Sequence, residues 1–170
     1  MKKSLINKLN ADRRHYLEIN NKDKSYKNIY SYNYKYNEYC VYLSPYRMYV
    51  TKECYDYEFA DEIPQFLKDF INKCSHAQHL LVPLKINKND LEEKYKEVKI
   101  LEGDFWAETY KVKTPYGYMG FNIKILRDLL NGYDIDTIYM TDIISPVFTT
   151  DNLNGEFGIL MPKRVRNLKW

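Results

Sequence analysis

Glycine is scarce, six residues in 170, and none of it forms the Gly-rich loop that cradles phosphates. A Gly-x-Ser-x-Gly elbow is missing too, as is any cysteine–histidine pattern with a catalytic signature, so nucleophilic catalysis finds no support. No run of eighteen apolar residues occurs, and no membrane span is expected. The opening "MKKSLINKLNADRR" has the lysines of a signal peptide without the apolar segment behind them, and reads as mature sequence. Cysteine is limited to Cys40, Cys54 and Cys74, an odd count with no Cys-x-x-Cys pair. That fits a reducing cytoplasm. A net charge of only +3 permits contact with nucleic acid without requiring it.

The length suits one domain with a sizeable core, and 45% hydrophobic with 29% charged residues is ordinary for a globular chain. Tyrosine is abundant, at 18 residues. Together with heavy use of Asn, Lys and Ile, AT-rich coding explains this without any binding role for the rings.

Apolar spacing predicts a helix over 2–18, with Leu5, Leu9, Tyr16 and Leu17 on one face and Lys3, Asn7, Asn10 and Arg14 on another. The period changes to two from Ile29, where Tyr30, Tyr32, Tyr34 and Tyr36 alternate with polar residues. "EYCVYL" and "RMYVTKE" continue an antiparallel meander, with "YDYEF" a further candidate strand. Residues 61–98 break this rhythm with two helices, the first carrying Pro64 in its first turn, and read as an insertion or elaborated connection. "WAETYKVKT", the turn "PYG" and "YMGFN" then lead into the helix "IKILRDLLNGY", with Asn122 as N-cap and Gly132 as its stop. "DTIYMTD", "SPVFTTD" and "EFGILMPKRV" are three further strands. Helix followed by strands thus occurs twice, in 1–60 and again in 99–170.

"GFNIKILRDLL", "TIYMTDIISPVFTTD" and "GILMPKRV", in this order over roughly residues 105–165, resemble the end of the bacterial DNA polymerase sliding clamp. "EYCVYLSPYRMYVTKE" resembles the paired strands earlier in the same clamp domain. The resemblance implies an α+β, DNA-clamp-like domain. Such a domain duplicates a helix-plus-antiparallel-strands unit, with both helices on one face of the sheets. It further implies that Lys3, Arg14, Lys124 and Arg127 face duplex DNA through weak, non-specific phosphate contacts. Ordinary solvated helix faces are the competing explanation for those cations. An apolar pocket is also implied, in which replication proteins insert short peptides with leucine and aromatic anchors. Its residues would be Asn122, Ile144, Pro146, Ile159, Met161, Pro162 and Arg164. Without the resemblance, Ile159 and Met161 would read as plain core residues. The family's usual chain carries three such domains and completes its pocket from the preceding one. It also stops soon after the Arg-apolar step, where "RNLKW" continues here.

The first functional expectation is therefore a non-enzymatic, cofactor-free replication accessory or peptide-binding platform in the cytoplasm, which either self-assembles as a homo-oligomer around DNA or joins a larger clamp. The alternative is a phage or mobile-element interaction module that binds host replication proteins without encircling DNA. A small nucleic-acid enzyme using Asp134, Asp136 or Asp142 ranks below both, because aspartate is normal in turns. Cys74, His76 and His79 in "CSHAQH" form a partial zinc pattern without a second pair of ligands. "PQFLKDF" faintly resembles the Gln-led peptides that clamps bind, but Phe66 and Phe70 at i, i+4 are better explained as a helix's core face.

Overall fold

The computed structural model describes residues 3–19, 30, 32–55, 58–100 and 108–163. Four α-helices are described: α1 (Lys3–Ile19), α2 (Gln65–Ala77), α3 (Lys88–Ile100) and α4 (Ile123–Tyr133). Nine strands accompany them: β1 (Tyr34–Tyr36), β2 (Tyr39–Leu43), β3 (Arg47–Thr51), β4 (Val82–Lys85), β5 (Thr109–Thr114), β6 (Gly117–Asn122), β7 (Thr137–Met140), β8 (Val147–Phe148) and β9 (Phe157–Leu160). The class is α+β. Seven strands form one sheet in the order β1-β2-β3-β9-β8-β7-β4, every neighbouring pair antiparallel, while β5 and β6 pair as a separate hairpin. α1 precedes the triplet β1-β2-β3 and α4 precedes β7-β8-β9, and the triplets meet at the β3–β9 pair.

The central strands are apolar on both sides, so both faces of the sheet need cover. On one face Tyr42, Tyr49, Met140 and Leu160 pack under α1, α3, α4 and the β5–β6 hairpin. On the other, Val41, Met48, Val50, Phe157 and Ile159 pack under Leu67, Ile71 and Cys74 of α2. The segment 61–98, expected as an insertion or elaborated connection, packs into the fold. It supplies the layer on the second face, and its strand β4 pairs with β7 at the sheet's edge. Helices therefore occupy both faces, where only one face was expected to carry them.

α4 forms as its sequence predicts. The Asn122 side chain caps it, accepting from the backbone N–H of Lys124 and Ile125 at 3.1 Å each. Its stop is not Gly132 but Asp134, which takes the left-handed conformation at φ 53°. Gly132 lies in the last turn because α1 presses against it: a Cβ there would stand 2.6 Å from Leu5 Cδ2. On α1, Leu5, Ile6 and Leu9 are buried, but so is Asn10, expected on the polar face. The long tyrosine strand is shorter than its alternation implied. Only Tyr34 to Tyr36 belong to β1, and Tyr30 is helical. Of "YDYEF", the described part makes a single parallel bridge, Phe59 with Asn33.

Both outer edges of the sheet are blunted. Beside β1, the Asn33 N–H donates to the Glu58 carbonyl at 3.3 Å, and its own carbonyl accepts from Ala60 at 2.9 Å. At β4, the Ile86 N–H points inward to Asp136 (2.7 Å), so strand alternation turns the Pro83 and Lys85 positions outward. Pro83 has no N–H to offer there.

Between α1, α4 and β3 lies a buried charge cluster. Arg47, 2% exposed, reaches Asp12 through Nε at 2.6 Å and Nη2 at 2.5 Å, with Nη1 3.6 Å from Asp128. Lys8 closes the group from the rim, Nζ to Asp128 at 2.9 Å. Burial alone would lower the Arg47 pKa, but Tyr49, Asp12 and Asp128 outweigh it and hold the guanidinium charged. The odd cysteine count resolves as a Cys40–Cys54 disulfide, Cα atoms 5.6 Å apart, and a buried free thiol at Cys74. The spacing of the cysteines gave no sign of this bridge, and a disulfide runs against the reducing compartment that their count suggested.

Removing one partner of a buried ion pair strands the other. Arg47→Ala should therefore cost about 3–5 kcal/mol in urea unfolding, against near-neutral effects at the exposed Lys96→Ala. Reduction of Cys40–Cys54 opens a short loop whose closure is worth about 3 kcal/mol in chain entropy. A thermal melt with reductant should shift downward accordingly, and Cys54→Ser should show the same lower midpoint without reductant.

Candidate functional site

A groove of about 520 Å³ opens on the α2 side of the sheet. Its floor is Met48 and Ile159, from the adjoining strands β3 and β9, and Met161 stands at its rim, 41% exposed. Leu43 and Pro45 close the end where β2 turns into β3, and Phe66 and Phe70 of α2 make the facing wall. Asp69 and Lys73, one helical turn apart, bring one charge of each sign to the helical side.

The end of β9 explains the Met-Pro step. Met161 still belongs to the β3 side, its N–H donating to the Tyr46 carbonyl at 2.9 Å. Two residues later the Lys163 N–H donates to Gly120 of β6 at 2.8 Å. Pro162 falls between these bonds, where the chain leaves one sheet for the other and no donor is required. Strand alternation puts Ile159 and Met161 on the same face, so the crossover leaves the methionine as a ledge over the groove.

Of the expected pocket residues, Ile159 and Met161 come together there. Ile159 is 2% exposed and forms floor, so the core reading is right for it and wrong for Met161. Pro162 does not line the groove, and Asn122 is occupied with capping α4. Pro146 and Met161 each lie one residue beyond the Val147–Leu160 pair, at the same end of the sheet, but Pro146 is outside the groove. Ile144 is 68% exposed on the loop between β7 and β8, also outside it. Arg164 lies outside the described residues. That loop is held by Asp142, whose carboxylate accepts from the Ile144 N–H (2.9 Å), the Ser145 N–H (2.8 Å) and the Ser145 hydroxyl (2.7 Å). These bonds, the Ser145 hydroxyl foremost, lower the Asp142 pKa.

Sequence spacing placed Phe66 and Phe70 on the core face of α2, and that is corrected. Leu67, Ile71 and Cys74 take the core, leaving Phe66 53% exposed and Phe70 half-buried at the groove. Both stripes have helical spacing, so periodicity alone could not choose between them.

The expected DNA-facing cations lie on α1 and α4, which pack together. Lys3 and Arg14 are exposed on α1, with Lys3 Nζ 5.7 Å from the Tyr55 ring. Lys124 is half-buried. Arg127 is engaged within the protein, Nε 2.6 Å from Glu92 and its guanidinium 4.2 Å from the Tyr95 ring, both on α3. α3 packs along α4 and supplies both of these partners of Arg127. In the "CSHAQH" segment, burial pushes the Cys74 thiol up to about 12. His76 and His79 each turn Nδ1 to a backbone carbonyl. Among the described residues no group of three or more His, Cys, Asp or Glu is placed to hold a metal ion. No described helix is long and apolar enough to cross a membrane.

No family model matches this sequence. Neither the curated proteins nor the solved structures contain a match to it.

A depressed carboxylate pKa adds stability that is present above the unfolded value and is lost as pH falls through the folded one. The Ile144 and Ser145 amides should thus stay protected from hydrogen exchange at pH 3.8, the ordinary aspartate value. They should open only at lower pH. In Asp142→Ala they should exchange freely throughout, as NMR would record.

Proposed function

We propose that this protein is a non-enzymatic interaction module of clamp-like build, which binds short apolar peptide segments of replication proteins without encircling DNA. The groove beneath Met161 carries the proposal. It offers an apolar floor, an exposed methionine ledge and three aromatic residues, Tyr30, Phe66 and Phe70, the ingredients that seat a leucine or phenylalanine anchor by burial. The repeated order of helix and three antiparallel strands, meeting at β3–β9, supports the clamp-like reading of the architecture. α2 stands in for the neighbouring domain that would otherwise complete such a site. Among replication proteins the module works in the cytoplasm, where the Cys40–Cys54 pair is held reduced, and a phage or mobile element competing for host partners is a fitting source.

The ring-forming reading is the weaker of the two because a specific observation opposes it. Extending the sheet from copy to copy needs free strand edges, and here Pro83 and the 58–60 segment occupy the outer edges. The ion pair of Arg127 with Glu92 also removes one of the four cations meant for the duplex. A native mass several times the monomer in the presence of DNA would restore the ring.

The test is fluorescence polarisation with a labelled peptide carrying one leucine and one phenylalanine anchor. Wild type should bind, and Met161→Asp or Phe66→Ala should weaken binding at least about 10-fold, the scale of an interface hot spot. An unresponsive wild type, or variants that bind as well as wild type, would remove the proposal.

A further inference from the structure

We propose that the outer face of the β5–β6 hairpin is a second, independent site, a stacking platform for single-stranded nucleic acid. One face of this hairpin is anchored: Tyr110, Val112, Met119 and Phe121 are all buried in the core beneath it. The other face presents Lys111, Lys113 and Tyr118 outward, with Tyr116 at the turn. Tyr116 is 57% exposed and Tyr118 42%. Tyr118 pairs directly across from Lys113, and Lys111 across from Gly120, so rings and ammonium groups share one surface.

The turn holds Tyr116 in place. Pro115 fixes its own backbone angle, and Gly117 takes φ 126°. The Thr114 hydroxyl donates to the Gly117 carbonyl at 2.6 Å and accepts from the Tyr116 N–H at 3.2 Å. A large exposed ring on so constrained a turn loses little freedom on binding.

The ligand class follows from the pairing of charge with aromatic surface. Lys111 and Lys113, two residues apart on a strand, stand about 7 Å from one another and suit phosphates along an extended chain. Tyrosine faces stack on unpaired bases, which a duplex hides inside its own stack. An acidic peptide would use the lysines and leave the rings idle. The platform does not depend on the peptide groove.

The experiment is fluorescence anisotropy of the full chain with labelled oligodeoxythymidine and with a duplex of equal length, at low and rising salt. Single strands should bind more tightly than duplex. Tyr116→Ala should weaken that binding about 5- to 100-fold and Tyr116→Phe should retain it. Lys111→Gln with Lys113→Gln should flatten the log–log salt slope by about 1.4, at roughly 0.7 per phosphate. The same charge removed at Lys52 and Lys85 should not. Four results would each overturn the platform: no single-strand binding, duplex binding at least as tight, indifference to Tyr116→Ala, or equal competition by polyglutamate.

Discussion

Arg47 sits where three elements have to agree. Its guanidinium comes from β3, its closest carboxylate from α1 and the second from α4. A buried charge of this kind is tolerated only when its partners are in position, so the cluster fixes the seating of both helices on the sheet. Gly132 lets those helices approach closely enough for both carboxylates to reach one arginine. The apolar layers around them would accept several arrangements, whereas the ion cluster accepts few.

With the helices fixed, the second face of the sheet becomes the functional one. α2 spends one stripe, Leu67, Ile71 and Cys74, on the core and a neighbouring stripe, Phe66 and Phe70, on the groove. The groove floor is built from β3 and β9, the strands joining the two helix-and-triplet units. Its chemistry is therefore tied to the least exposed part of the sheet, while its helical wall shares the cover of that face with Leu153 of the β8–β9 loop.

Much of the fold was legible in the sequence. Strong periodicity and capping chemistry gave α1 and α4, and turn residues gave the hairpins, because these are local signals. The layer assignment was not local. "LLVPLKI" is too short for period to say whether it joins a sheet, and its place at the edge depends on β7, far along the chain. "RMYVT" gave no hint that its arginine is buried, since both carboxylates lie on distant helices. At the groove, Met161 stood out by its Met-Pro step, but the partners that make it a site are on α2. The engagement of Arg127 depends on Glu92 and Tyr95 of α3, which no local signal in α4 points to.

The position of β9 has a consequence for how the molecule is made. It is the last described strand to be synthesised, yet it belongs in the middle of the seven-stranded sheet, between β3 and β8. Until it emerges from the ribosome, two apolar strands each expose an open hydrogen-bonding edge, and the sheet is two separate pieces. Completion waits on contacts distant in sequence, which are slow to close. A nascent chain stalled before residue 157 would be a sticky intermediate, and chaperone capture would fall in that interval.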